Sequence, residues 1–121
     1  MTRIADTSVL YAFFDADDKH HDQAVAAIQN PEPILLPREI LVETVDLIGF
    51  RSSAKDARYA LDTLLSLPHT SVADPAPLDG VQETFRRQKK LSLADTIVVQ
   101  TCKVHGAHPL TFDHEIKKAV G

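Results

Sequence analysis

Short apolar segments that alternate with longer helical segments constrain the fold of this chain most strongly. Ile34–Leu36 is the clearest of them, because Pro33 and Pro37 bound an apolar run that is too short for a helix. Further short strands are predicted at Ile4–Ala5, Thr70–Ala73 and Pro109–Phe112. Strands that alternate with helices predict an α/β fold with a short, mainly parallel sheet and right-handed crossovers.

Capping residues and prolines delimit the helical segments between these strands. Thr7 or Ser8 is expected to cap the first helix, and Ser52 or Ser53 a later one. Gly106 is expected to stop the helix that Ser92 begins. The predicted helices are Val9–Phe14, a segment from the Asp15–Asp18 loop to about Asn30, Pro37 to about Phe50, a segment from Ser53 that ends before Pro68, Leu78–Gln88, Ser92–His105 and His114–Val120.

The composition predicts one ordinary domain that occupies residues 1–121. Of the 121 residues, 44% are hydrophobic and 25% are charged. A chain of this length and hydrophobic content can bury a core without disulfide or metal cross-links. No secretory signal is evident, and no apolar stretch approaches the roughly 20 residues of a membrane span. Cys102, the only cysteine, is expected to be a buried and inert thiol. These features favour a cytoplasmic protein with no membrane partner.

The formal net charge of −4 argues against nucleic-acid binding through overall charge. Local basic patches remain possible, although such runs are interpreted as solvated faces; they comprise Arg86, Arg87, Lys89, Lys90, Lys117 and Lys118. His20 and His21 lie beside several acids. An exposed helix start explains this pair better than a transition-metal site does.

Four acids stand out by their positions, two at the ends of predicted strands and two between apolar residues on predicted helices. Asp6 and Asp113 each follow a predicted strand, at the edge where parallel α/β sheets form their functional crevice. If those two strands are neighbours, about 4.8 Å apart, the two acids meet there.

The other two acids are singled out by helical geometry. At roughly 100° per residue, Glu43 falls between the directions of Leu47 and Phe50. Asp95 falls between those of Val99 and Cys102. Because an acid among apolar side chains is costly unless it is paired, the four acids together suggest a shared cation.

Each acid also has a purely structural interpretation. Asp6 and Asp113 could cap the helices that follow them. Asp95 is the fourth residue of Ser92-Leu93-Ala94-Asp95, a sequence that fits a capping box. Glu43 could pair with a nearby Arg or Lys. The shared site is preferred because one architecture brings all four acids to one crevice.

Four ordered motifs resemble those of the PIN-domain ribonuclease family. They are Asp6-Thr7-Ser8-Val9-Leu10, Glu39-Ile40-Leu41-Val42-Glu43, Leu91-Ser92-Leu93-Ala94-Asp95 and Leu110-Thr111-Phe112-Asp113. Their order and spacing carry the resemblance, which covers nearly the whole chain. The compact size resembles the VapC-type toxins of bacterial toxin–antitoxin pairs.

The resemblance implies a three-layer α/β/α sandwich and a metal-dependent endoribonuclease. Asp6, Glu43, Asp95 and Asp113 would form the metal site and the catalytic site, and hydroxyls at Thr7, Ser8 and Thr111 would support it. Carboxylate oxygens suit Mg²⁺, with Mn²⁺ as an alternative. The implied partners are an RNA substrate, a cognate antitoxin and a second copy of the chain in a homodimer.

The sequence departs from the family pattern in two places. The chain ends soon after the fourth strand, so the usual fifth strand is missing or very short. Thr96 replaces the small apolar residue that often follows the third acid. Neither change removes a candidate ligand.

Two other classes of α/β protein fit this architecture, but the chain lacks the residues that they require. A response-regulator receiver needs paired acids after the first strand, and a haloacid-dehalogenase-like phosphatase needs Asp-x-Asp there. Thr7 and Ser8 follow Asp6 instead, which excludes both. A catalytically silent PIN-like module that binds RNA or protein remains the alternative.

Overall fold

The computed structural model describes all 121 residues as seven helices and a four-stranded sheet. In chain order the elements are β1 Arg3–Ala5, α1 Thr7–Phe14, α2 His21–Gln29, β2 Ile34–Leu36, α3 Arg38–Arg51, α4 Ala54–Ser66, β3 Thr70–Val72, α5 Leu78–Arg87, α6 Leu93–His105, β4 His108–Leu110 and α7 His114–Val120. The predicted α/β alternation is confirmed.

The sheet is entirely parallel, and its strands lie in the order β3-β2-β1-β4. The chain runs from β1 outward through β2 to β3, and then crosses back to place β4 on the other side of β1. Strand order therefore reverses between β1 and β4. In parallel α/β sheets, the crevice beyond the strand ends at such a reversal is the usual functional site.

A single apolar core of 18 buried residues joins the sheet to the helices. Ile4 on β1 and Val98 and Val99 on α6 are completely buried there. Helix α6 also contacts β4, so the core fixes α6 against the two strands that flank the reversal point. Cys102 on α6 is 1% exposed, and burial raises the pKa of its thiol to about 12, as expected for an inert cysteine.

Three of the expected helix ends are confirmed and one is wrong. Ser53 and Ser92 cap α4 and α6 through their side chains, and Gly106 ends α6 in the left-handed conformation with φ 60°. Neither Thr7 nor Ser8 caps α1, which already begins at Thr7. The hydroxyls of both residues are used elsewhere, at the site described below.

The fourth strand is shorter than predicted, because it ends at Leu110 rather than Phe112. The N–H of Phe112 donates to Ser8 Oγ at 3.2 Å, and that of Asp113 donates to Thr111 Oγ1 at 2.9 Å. Side chains satisfy these backbone groups, so the chain leaves the strand ladder without orphaned donors.

The sheet has no fifth strand, so β3 and β4 form its two edges. No helix is both long enough and apolar enough to cross a membrane.

Candidate active site

Asp6 directly follows β1 and is almost completely buried at 4% exposure. Its backbone N–H donates to Leu110 O on the neighbouring strand β4 at 3.0 Å, so the expected adjacency of the two strands is confirmed. Asp6 occupies the position before α1, yet its side chain does not cap the helix. The capping interpretation of Asp6 is therefore wrong.

Two hydroxyls hold the Asp6 carboxylate in place. Thr111 Oγ1 donates to Asp6 Oδ2 at 2.7 Å, and Ser8 Oγ donates to the same oxygen at 2.9 Å. Both hydroxyls also accept backbone N–H groups from the segment after β4, which fixes their orientation. One oxygen of Asp6 is thus anchored by two oriented donors, while the other accepts no side-chain hydrogen bond.

Burial raises the pKa of the Asp6 carboxyl above its ordinary value. The hydrogen bonds from Thr111 and Ser8 oppose this shift, and the nearby negative charge of Asp95 adds to it. The charges of Asp6 and Asp95 thus interact, although Asp6 follows β1 and Asp95 lies on α6.

Asp95 and Asp113 each use one carboxylate oxygen to hold a local backbone turn. Asp95 Oδ2 accepts the N–H of Ser92 at 3.1 Å, which completes the predicted capping box of α6. Asp113 Oδ1 accepts the N–H of Glu115 at 2.8 Å and caps α7. The second oxygen of each accepts no hydrogen bond within the chain, so capping does not occupy the whole carboxylate.

The expected apolar setting of Glu43 is wrong. Glu43 is exposed, and Phe50, which served as a core marker on this helix, is 88% exposed. The buried face of α3 instead carries Ile40 and Thr44. Glu43 nevertheless contacts the residue that follows Asp6, because Thr7 Oγ1 donates to its Oε1.

None of the four acids pairs with a cation of the chain. The two ion pairs in the structure join the N-terminal ammonium to Glu32 and Lys90 to Glu115. The proposed pairing of Glu43 with Arg or Lys is therefore wrong. We call Asp6, Glu43, Asp95 and Asp113 together the acidic crevice. No ion pair within the protein compensates their negative charge.

No three acidic, histidine or cysteine side chains converge closely enough to form a metal cluster on their own. Mg²⁺ commonly takes only one or two carboxylates and completes its shell with water and substrate phosphate. Asp6, buried and anchored by hydroxyls, and Asp95, whose negative charge acts on Asp6, are hard oxygen donors of the required kind. The residues present therefore fit the ion that the sequence implies.

His20 lies against Phe112, a contact that the sequence did not reveal. The two rings are stacked with centroids 4.4 Å apart and planes 23° apart. His20 is half-buried rather than exposed, and His21 Nδ1 lies 2.7 Å from Ala12 O. The contact joins the turn before α2 to the loop between Thr111 and Asp113, and no local pattern predicts a pairing so distant along the chain.

The fold and the acidic crevice define a parallel α/β domain whose candidate site lies at the β1–β4 reversal point. The PIN domain family matches residues 3–121. The chain belongs to the PIN domain family, and the resemblance noted in its motifs is confirmed.

Solved structures share this fold at low sequence identity. VapC20 of Mycobacterium tuberculosis, described as a sarcin-ricin-loop-cleaving toxin, superposes with a TM-score of 0.77 at 19% identity over 97% of this chain and 94% of that one. PAE2754 from Pyrobaculum aerophilum gives 0.72 at 21% identity, covering 98% and 87%. VapBC2 from Rickettsia felis, solved with a DNA fragment from its promoter, gives 0.71 at 15%, covering 98% and 93%. No curated protein sequence matches significantly.

Proposed function

We propose that this protein is a Mg²⁺-dependent endoribonuclease, with Mn²⁺ as an alternative metal, and the toxin of a toxin–antitoxin pair. The observation that carries the proposal is the environment of Asp6. Its buried carboxylate is anchored by two hydroxyls, lies near the charge of Asp95 and has no cationic partner in the chain. Such an arrangement is costly unless a bound cation compensates it.

Each acid has a role in this proposal that follows from its surroundings. Asp6 and Asp95 would hold the ion, because their charges interact and each keeps one oxygen free of side-chain hydrogen bonds. Asp113 and Glu43 would act through water or as the base. Ser8 and Thr111 orient Asp6, and Thr7 orients Glu43.

A bound Mg²⁺ would supply charge neutralisation at the phosphate and a bound water of lowered pKa. The residues of the chain would orient that water and the phosphodiester for in-line attack. Without the cation, the acids of the crevice would repel a phosphate group.

The test is cleavage of a mixed set of single-stranded RNAs by purified protein. Cleavage is expected with Mg²⁺ or Mn²⁺, and it should stop with excess chelator. Asp6→Asn and Asp95→Asn should each lower the rate by at least about a hundredfold, as expected when a group that stabilises transition-state charge is lost. Asp62→Asn on α4 is the matched control and should keep full activity. Cleavage that persists in excess EDTA would contradict the proposal.

The toxin role is tested in cells. Expression of the protein alone should arrest growth, and co-expression of a small antitoxin encoded beside it should relieve the arrest. The antitoxin would cover the crevice with a basic side chain such as Arg, since guanidinium pairs well with carboxylates. Harmless expression of folded protein would count against the toxin role but not against the nuclease.

Protein partners have apolar surface available to them. Val42, Leu61 and Leu65 on α3 and α4 are 53%, 36% and 56% exposed, and they line one surface pocket. Exposed apolar patches often mark protein interfaces, which supports an antitoxin partner and a homodimer. Light scattering of the purified protein should give twice the monomer mass of 13.3 kDa.

The alternative function is a silent PIN-like module that binds RNA or protein. The exposed position of Glu43 and the lack of a three-ligand cluster are compatible with it. RNA binding without cleavage under any divalent metal would favour this alternative.

A further inference from the structure

A surface pocket that contains none of the four site acids is rich in lysine. It has a cavity volume of about 320 Å³ and lies between the turn that follows α5 and helix α7. Three of the side chains that line it are cationic, namely Lys89, Lys90 and Lys118, and Glu115 is the only acid among them. We call these four residues the lysine pocket; at neutral pH its formal charge is positive within a chain of net charge −4.

The backbone under the lysine pocket is held in place by the core. The N–H of Leu91 donates to Gln88 O at 3.2 Å, which closes the turn that carries Lys89 and Lys90. Leu91 itself is 6% exposed and belongs to the apolar core. The lysine side chains remain exposed, so the turn presents the ammonium groups of Lys89 and Lys90 to solvent.

Most of the positive charge of the pocket is not paired with an acid of the protein. Lys90 lies 3.9 Å from Glu115, a long contact between side chains that are 76% and 36% exposed. Exposed pairs of this kind are weak and are easily exchanged for another anion. Lys89 and Lys118 form no ion pair. The interpretation of these lysines as a solvated face therefore leaves their common pocket unexplained.

The walls of the lysine pocket continue directly into the segments that carry the site acids. Leu91 is followed by Ser92, which caps α6 together with Asp95. On the other wall, the N–H of Glu115 donates to Asp113 Oδ1 at 2.8 Å. An anion in the pocket would therefore lie next to the crevice, flanked by the chain segments that hold Asp95 and Asp113.

We propose that the lysine pocket binds a backbone phosphate of single-stranded RNA and so positions the neighbouring phosphodiester in the acidic crevice. The proposal rests on the proposed function and assigns it a substrate-positioning site. A crevice of carboxylates repels the polyanion that it must bind, and compensation by nearby lysines lets the strand approach. Lysine ammonium groups suit this purpose, because they bind phosphate as point charges without reading the base.

The test compares two double variants that remove the same charge. Lys89→Gln with Lys118→Gln alters the pocket, and Lys55→Gln with Lys103→Gln alters exposed lysines on α4 and at the far end of α6. Binding of a fluorescently labelled single-stranded RNA is measured by anisotropy in EDTA, where cleavage is blocked, across a range of salt concentrations. Lys-to-Gln changes remove the charge and leave a shorter but still polar side chain, and both double variants share this change.

The pocket variant should weaken RNA binding far more than the control variant. The salt slope is the slope of log K for RNA binding against the logarithm of the salt concentration. Each lost contact between a lysine and a phosphate lowers its magnitude by about 0.7, which changes the affinity roughly fivefold between 1 M and 0.1 M salt. Two lost contacts predict a slope change of about 1.4 and a loss of roughly 25-fold at 0.1 M salt. The control should lose less than about fivefold. Equal losses for both variants would overturn the proposal.

A variant that removes a negative charge from the pocket should tighten RNA binding, and damage to the fold cannot explain tighter binding. Glu115→Gln frees Lys90 and should tighten RNA binding by about twofold or more, while Asp62→Asn on α4 should leave it unchanged. A solvated face predicts no difference between these two variants, and that result would contradict the proposal.

Cleavage kinetics separate this proposal from the nuclease proposal. The pocket variant should raise KM for single-stranded RNA and leave kcat within about twofold, as expected for lost binding that is equal in ground and transition states. Lysine-dependent RNA binding without cleavage would support the pocket and contradict the nuclease. Metal-dependent cleavage together with unchanged RNA binding by the pocket variant would support the nuclease and contradict the pocket.

Discussion

At the scale of single residues, Asp6 connects stability to the candidate site. Its pKa in the folded protein is raised, so the folded state holds this proton to a higher pH than the unfolded state does. Stability is therefore lost as pH rises from the ordinary Asp value of 3.8 through the raised value, and the loss is complete above it. Below 3.8 the group is protonated in both states and contributes nothing.

Replacement of Asp6 by Asn removes this cost, because an amide has no charge to bury and its oxygen still accepts from Ser8 and Thr111. In metal-free buffer at pH 7, Asp6→Asn should melt at or above the wild-type temperature, although most substitutions destabilise. Its advantage should shrink as the pH approaches 3.8. Thermal unfolding at a series of pH values checks this, with exposed Asp62→Asn as control. If the Tm difference between Asp6→Asn and the wild type grew toward acid pH, the pKa of Asp6 would not be raised in the folded protein.

Cys102 allows a second test at the residue scale. Burial raises the pKa of its thiol from 9.0 to about 12, which lowers the thiolate population at pH 8 roughly a thousandfold. The native protein should therefore react with a thiol reagent at least about a thousand times more slowly than the same protein in urea. Rapid native labelling would mean that α6 opens readily or that the thiol is not buried.

At the scale of elements, Arg3 joins β1 to the end of α2. Its guanidinium donates to Ala27 O at 2.6 Å and to Asn30 O at 3.1 Å. A third bond reaches Glu32 O at 2.7 Å, although Nε remains without a partner. A cation at the C-terminal end of a helix also interacts favourably with the helix dipole.

Arg3→Ala should lower the free energy of unfolding by about 2–4 kcal/mol, because three carbonyl groups lose their donor and the packing of the side chain is lost. Arg58→Ala, at an exposed position on α4, should change it by less than about 0.5 kcal/mol. Urea denaturation of both variants measures the difference. Equal effects would show that the Arg3 contacts contribute no net stability.

At the scale of the whole molecule, the acidic crevice joins β1, α6 and the segment after β4. A cation that binds there should stabilise the fold by mass action, by about 1.4 kcal/mol at ten times its Kd. For a chain of this size the gain is roughly 5 °C in Tm. Mg²⁺ should therefore raise the Tm of the wild type and of Asp62→Asn, and should raise that of Asp95→Asn much less.

Asp95 requires one further comparison, because it also completes the capping box of α6. Asn at this position can still accept from the N–H of Ser92, so any loss of helix capping should be small and independent of metal. A full Mg²⁺ response in Asp95→Asn would assign Asp95 to capping alone and remove it from the proposed site.

The sequence by itself determined the features that depend on neighbouring residues. Apolar runs bounded by prolines predicted β2, Gly106 marked the end of α6, and Ser92 with Asp95 predicted the capping box. Alternation of strands and helices was sufficient for the parallel α/β class. These features are local, because caps, turns and periodicity involve residues only a few positions apart.

Only the tertiary structure decided the features that depend on distant segments. Helical geometry treated Phe50 as a core residue and so placed Glu43 among apolar side chains, but which face of α3 is buried depends on what packs against it. The Ser8 and Thr111 hydroxyls bind Asp6 because β4 returns beside β1. Asp6 interacts with the charge of Asp95 because α6 packs against β1, since charges interact through space and not along the sequence.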